Sequence, residues 1–274
     1  MSLLHLNFES RFLKGNTQVS VVLPDLPGVT PGLEQYAVTP RQFYCGGRRY
    51  RVLWLLHGTN GDHTDYLRKT NIERYAAQRE IMVVMPSGLN ADYMNWPGFG
   101  PGFYMEDYMV EELLPLVQGW LPASPRQEDN FIAGLSMGGQ GALSLTLYHT
   151  GCFAAAASMS YPPLHLQSLE QCGCYPLFRQ RYENQVAAMG GWEGFLASHY
   201  NLWDRIRCLA EQKALPPLYF TIGTEDFFYQ DYLAFKSCVQ EQGWPVVFSE
   251  TPGFGHQWDF WDSALPQVLD FFGL

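Results

Sequence analysis

Phe131-Ile132-Ala133-Gly134-Leu135-Ser136-Met137-Gly138-Gly139 is the stretch on which the reading of this chain turns. An apolar run enters it, and good helix formers from Gly141 to Leu147 leave it, so the order is strand, tight turn, helix. A serine sits at the apex. Bulky side chains two residues to either side would collide there, which accounts for glycine at 134 and 138. Such a turn holds its serine in a strained backbone conformation, with the hydroxyl standing clear at the carboxyl edge of the sheet. The helix that follows aims its first N–H groups and its positive dipole end at the same spot.

Outward from this turn, strands alternate with helices. Leu4 to Phe8 and Gln18 to Leu23 read as early strands, followed by a Pro-rich turn around Pro24, Pro27 and Pro31. Short apolar runs at 50–56, 81–85, 130–135, 154–158, 218–222 and 246–249 read as further strands. Helical spacing covers Glu106 to Trp120, 137–149, and Tyr229 to Gln242 before the stop at Gly243; a last helix runs from about Trp258 to Phe272. The expectation is one α/β domain over residues 1–274: a mostly parallel sheet of about eight strands with helices on both faces. Residues 161–200, rich in Pro and Gly, break the alternation. They read as an irregular insertion, either a small lid or a surface excursion without an active-site role.

A serine hydroxyl needs a base to take its proton. When the strand–turn–helix serine comes first, an acid and then a histidine follow in the chain. Among the seven histidines, His256 comes after the acid candidates that follow the 218–222 strand, and it lies in a Gly-rich loop after the last strand. Asp226, in Gly223-Thr224-Glu225-Asp226, is the chosen acid. Glu225 is its neighbour, Asp231 is expected inside the next helix, and Asp226 could equally cap that helix. Acyl transfer also needs N–H donors for a negative oxygen. One is expected from Met137. The second is expected from Thr59, with Gly58 as runner-up, in the loop His57-Gly58-Thr59-Asn60-Gly61. His57 itself reads as a structural hydrogen-bonding residue.

Composition narrows the function classes. The formal net charge is −10 and no basic run is present, so nucleic acid and anionic membrane are poor partners. With no basic leader at Met1 to Glu9 and no apolar run near ~20 residues, the expected location is cytoplasmic. The six cysteines are scattered rather than arranged as a disulfide framework. A zinc site built from Cys172, Cys174, His165 and Cys208 is conceivable, but C-x-x-C pairs are missing and no metal is expected. Oligomeric state is open, and a homo-oligomer is compatible with the sequence.

On these residues the chain resembles the esterase D-like putative esterases, and within them the tributyrin esterase and S-formylglutathione hydrolase-like branch of the α/β-hydrolases. The resemblance rests on the two opening strands, on His57-Gly58 with Gly61, and on Glu106-Asp107-Tyr108 with Glu112-Leu113. It rests also on Gly134 to Gly139, Gly223-Thr224-Glu225-Asp226-Phe227, and Gly255-His256 followed by Trp258-Asp259-Phe260-Trp261. It implies a serine carboxylesterase acting on short acyl chains, acetyl to butyryl, on small-molecule esters that include those of sugars or aromatic acids. Ser136, Asp226 and His256 would be its triad, and no cofactor would be required. The formylglutathione branch usually has a cysteine after His-Gly, and Thr59 to Thr64 has none. Transfer to an alcohol acceptor and a catalytically inactive binding protein are the other readings. Residues 92–104 and 161–200 fit no family pattern and are expected to contact substrate. Trp96, Tyr161 and Trp258, with Phe99, Phe103 and Tyr104 nearby, are expected to wall a compact acyl pocket.

Overall fold

The computed structural model describes residues 1–26 and 38–274. Pro27 and Pro31 of the expected turn lie outside the described residues. The strands are β1 (Ser2–Ser10), β2 (Gly15–Leu23), β3 (Val52–Leu56), β4 (Met82–Pro86), β5 (Asn130–Leu135), β6 (Ala155–Met159), β7 (Leu218–Gly223) and β8 (Val246–Thr251). They form one sheet in the order β1-β2-β4-β3-β5-β6-β7-β8. β1 and β2 make an antiparallel hairpin, and β2 pairs antiparallel with β4. From β4 to β8 every pairing is parallel.

β3 and β4 are apolar without interruption and fully buried because both of their faces are covered. In β3 the alternation splits the side chains: Val52, Trp54 and Leu56 join one core, Leu53 and Leu55 the other. The first core holds the helix Met137–Tyr148 and most of the aromatic residues; the second packs the C-terminal helix Trp258–Phe271 through Phe260, Trp261 and Leu265.

Strand order fixes where a site can form. The chain lays β4 on one side of β3 and then returns to lay β5 on the other, with Leu56 paired to Gly134. The carboxyl ends of β3 and β5 therefore diverge into a crevice, the usual ligand position in an open α/β sheet.

Two sequence expectations change and one helix is added. The helix over 106–120 contains a π-type segment, Tyr108–Leu113, between two α-helical pieces. Pro115, which has no N–H to offer Glu111, stands two residues beyond it. Residues 161–200 are not irregular throughout: helices Tyr175–Ala188 and Trp192–Ala197 occupy much of the segment. Pro176 stands in the first turn, where its missing N–H costs nothing, and Gly190 and Gly191, at φ 83° and 100°, part the two helices. A further helix, Leu202–Glu211, buries Leu202, Trp203, Ile206 and Leu209, a helical spacing that was present in the sequence and went unused. Among the described residues no helix is long and apolar enough to cross a membrane.

Candidate active site

Ser136 sits between β5 and the helix Met137–Tyr148 with φ 52° and ψ −120°, a conformation strained for a residue with a β-carbon. Its N–H donates to Met159 O at 2.8 Å, which anchors the turn to β6. A β-carbon on Gly134 would overlap the carbonyl of Gly138, and one on Gly138 would overlap that of Leu56. Gly139 leaves room for Ser158 Oγ in the same way. Gly134 and Gly138 are therefore forced by close backbone approach, as the sequence reading expects, whereas Gly139 is set by the Ser158 side chain.

Asp226 follows β7 and is buried, with no exposed side-chain surface. Its Oδ2 accepts from His256 Nδ1–H at 2.8 Å, and its Oδ1 accepts from the Phe228 N–H at 2.9 Å. It thus orients an imidazole and ties down its own turn at once. Glu225 is exposed, and Asp231 instead accepts from the Gly173 N–H at 3.0 Å. His256 is clamped between rings, 4.3 Å from Phe227 and edge-on to Trp261 at 5.0 Å. Gly223 lets this loop come close, since a β-carbon there would overlap Phe254 O. Among the described residues, Nε2 of His256 and Oγ of Ser136 have no hydrogen-bond partner.

Ser136 lines a cavity of about 30 Å³ with Thr59, Gln140, Met137, Tyr161 and Phe228. The ring of one lining residue, Phe228, lies 6.1 Å from that of His256, centroid to centroid. Met137 is the first residue of its helix, and its N–H has no helical carbonyl to reach. Gly58 packs against Ser136, with no room for a side chain between its α-carbon and Leu135. The structure therefore brings Ser136, Met137, Gly58, Thr59 and Tyr161 to one place.

His57 has a structural part. Its Nδ1–H donates to Gly58 O at 2.7 Å, and its Nε2 accepts from the Gly88 N–H at 2.8 Å. Burial holds its pKa below the ordinary histidine value, which suits a neutral ring bridging two loops.

A second cavity, of about 540 Å³, adjoins the first and takes an apolar wall from Leu89, Trp96, Phe99 and Phe103. Trp96 therefore lies near the site, but on the larger cavity rather than beside Ser136. Trp258 is a correction. It lines neither cavity; it begins the C-terminal helix and packs on the opposite face of the sheet, edge-on to Tyr66 at 5.5 Å and Trp261 at 5.1 Å. The helix that starts at residue 258 turns the ring away from the loop that carries His256.

The sequence reading missed Asp92, Phe178, Arg181, Tyr182 and Tyr200, all of which line the cavity at Ser136. Four of them, all but Asp92, come from the insertion, whose contact with substrate is expected without naming residues. As for a metal, Cys172 and Cys174 gather with Asp231 rather than with His165 or Cys208, their thiols 2.9 Å apart. His165 packs against the Trp203 ring and Cys208 accepts from Gln212. All six cysteines are free thiols.

Comparison with known proteins gives the family. The Putative esterase family model matches residues 35–272. An acetyl esterase of Caldicellulosiruptor saccharolyticus is 25% identical over 272 residues, covering 98% of this chain and 97% of that protein. Among solved structures, the fluorophosphonate-binding serine hydrolase FphF of Staphylococcus aureus superposes with a TM-score of 0.78 at 27% identity, covering 99% of this chain and 98% of that one. The S-formylglutathione hydrolase FrmB of the same organism superposes with a TM-score of 0.73 at 25% identity, covering 99% of each chain.

Proposed function

This chain belongs to the Putative esterase family and has the α/β-hydrolase fold, and from that premise we propose that it hydrolyses short-chain acyl esters, acetyl in preference to butyryl, through an acyl-enzyme on Ser136. The observation that carries the proposal is a strained Ser136 at a very small cavity, one wall of which, Phe228, lies beside the His256 ring that is hydrogen-bonded to Asp226.

In this reading Ser136 Oγ attacks the ester carbonyl while His256 Nε2 takes its proton. Asp226 holds the imidazole in the tautomer with Nδ1 protonated and stabilises the charge that appears. The N–H groups of Met137 and Thr59 receive the developing oxyanion, with Gly58 the alternative second donor. The alcohol leaves with the proton from His256. Water then attacks the acyl carbon as it gives a proton to the same nitrogen, and the bond to Ser136 Oγ breaks as His256 returns that proton to Oγ, releasing the acid. Each step is carried by groups of the chain, and no cofactor takes part.

The preference for small acyl groups follows from volume. About 30 Å³ beside Ser136 is room for roughly two water-sized groups. That suits an acetyl carbon skeleton and crowds a butyryl one. The similarity to an acetyl esterase supports the same choice. The helices within 161–200 supply Phe178, Arg181 and Tyr182 to this cavity, and we read the insertion as a fixed cover over the serine within a single domain.

The test is a series of p-nitrophenyl esters from acetate to octanoate, with a fluorophosphonate probe to report the nucleophile. Efficiency should fall with chain length. Ser136→Ala should lose both labelling and turnover, by on the order of 10⁶ in kcat. Labelling at another residue, or turnover by Ser136→Ala near the original rate, would sink the assignment.

A further inference from the structure

The two segments that match no recognisable pattern, 92–104 and 161–200, meet at a single point beside the serine. Arg181, on the helix Tyr175–Ala188, donates from one guanidinium nitrogen to Thr59 Oγ1 at 2.9 Å and from another to Asp92 Oδ1. Gln185, one turn further on, donates to Asp92 Oδ2 at 2.6 Å. Asp92 is 3% exposed, and both carboxylate oxygens are occupied. Thr59, Asp92 and Arg181 are shared: each lines the cavity of about 30 Å³ at Ser136, and each lines the aromatic cavity of about 540 Å³ next to it. These three residues form the partition between the two spaces.

We infer that the Arg181–Asp92 ion pair is the end wall of the acyl site and determines acyl-chain length, a role that rests on the ester-hydrolysis reading of Ser136. Without the guanidinium, the small cavity would open into a space more than ten times its volume, walled by Leu89, Trp96, Phe99 and Phe103. An alkyl chain that now ends against a charged group would find apolar surface beyond it. A charged wall anchored on a buried carboxylate is well suited to refusing alkyl chains. Pushing a methylene against it displaces hydrogen-bonding partners without replacing them, whereas an apolar wall would yield by repacking.

The backbone supports a selected role over a merely structural one. Asp92 and the following Tyr93 both have positive φ, 52° and 54°, and Leu89 has φ 52°. Three strained non-glycine residues in five positions are costly, and such strain persists where neighbouring structure over-determines it, often at functional sites. Burial pushes the Asp92 carboxyl above its ordinary value even with Arg181 alongside. A buried ion pair is seldom the most stable solution, since an apolar pair of the same volume commonly does as well. This pair, with Asp92 strained and buried and Arg181 partly exposed, stands where the acyl chain would otherwise pass.

The second bond of Arg181 adds a positioning role. By holding Thr59 Oγ1 it fixes the loop whose N–H is assigned to the oxyanion. Loss of Arg181 should therefore lower kcat on acetate while widening the acyl range, two effects that separate in a chain-length series.

Arg181→Ala alone would strand a buried carboxylate, so the informative variant is Arg181→Ala with Asp92→Asn. Asparagine tolerates the left-handed backbone and keeps a partner for Gln185. The measurement is the ratio of kcat/KM for p-nitrophenyl hexanoate to that for the acetate. A ratio is insensitive to the fraction of active protein. It should rise at least tenfold in the double variant, while Arg181→Lys, which keeps a cation at the wall, should stay within about threefold of the parent. A double variant that folds cooperatively, labels with fluorophosphonate at Ser136 and keeps the parental ratio would overturn the wall. If the parent itself fails to label at Ser136, the ester-hydrolysis reading falls, and this inference with it.

Discussion

Nδ1 of His256 is tied to Oδ2 of Asp226 over 2.8 Å, so the carboxylate decides which imidazole nitrogen is free to act as base. Replacing Asp226 by Asn keeps the shape but offers an N–H where an acceptor is needed. The ring then flips its tautomer and presents a protonated Nε2 to Ser136. Asp226→Asn should lose about 10⁴ in kcat near neutral pH, with little change in KM. Its thermal unfolding should stay close to the parent, because the Phe228 N–H can still bond to the remaining carbonyl oxygen. A loss of less than tenfold would show that the pair is structural.

The elbow makes a stability prediction. A β-carbon on Gly134 would overlap the backbone carbonyl of Gly138, and neither strand β5 nor its helix can move aside without unpairing the sheet. Gly134→Ala should cost at least about 3 kcal/mol, at the upper end of overpacking effects. Urea unfolding measures this. A near-parental midpoint for Gly134→Ala would mean that the turn relaxes more than the packing around it suggests.

The elbow was readable because its demands are local. Glycine at 134 and 138, an apolar run before and a helix after are imposed by sterics on adjacent residues, so they appear as a contiguous pattern. Asp226 and His256 were readable for a related reason: each follows a strand end, and chain order limits the choice. Arg181 and Asp92 were not readable. They lie 89 residues apart in segments without a repeating pattern, and their meaning comes wholly from meeting Thr59 across the cavity. The insertion helices escaped for a simpler reason. Proline and glycine break helices only in their interior, whereas Pro176 starts a helix and Gly190 and Gly191 separate two.

Glu106 gives a pH dependence. Its Oε1 accepts from His149 Nε2 at 2.6 Å and from His199 Nδ1 at 2.7 Å, which ties the insertion to the end of the elbow helix. Burial opposes ionisation of this carboxyl, but the two histidine hydrogen bonds and their charge outweigh it and lower its pKa from 4.5 to about 2. A carboxyl with a depressed folded value binds protons less readily than in the unfolded chain. Its contribution is therefore complete above pH 4.5 and disappears as pH falls toward 2. The stability gap between the parent and Glu106→Gln, measured by urea titration, should shrink across that window by on the order of 2–3 kcal/mol. A gap that stays constant from pH 5 to pH 2.5 would refute the shift.

Trp258 separates packing from recognition. Its ring meets Tyr66 and Trp261 edge-on, and Lys69 Nζ lies 4.6 Å above it, all on the sheet face away from the cavity at Ser136. Trp258→Ala therefore removes half-buried aromatic packing and a cation–π contact worth about 0.5–1 kcal/mol. Together these should lower stability by about 1–3 kcal/mol. Trp261, which stands edge-on to His256, keeps its own hydrogen bond from Nε1 to Ser160 Oγ at 3.0 Å, so the base should stay in place. The hexanoate-to-acetate ratio of Trp258→Ala should accordingly match the parent within experimental error while its melting temperature drops. If the ratio moved and the melting temperature did not, the ring would have to reach the acyl chain by a rearrangement of the His256 loop, and the acyl wall could no longer be assigned to Arg181 and Asp92 alone.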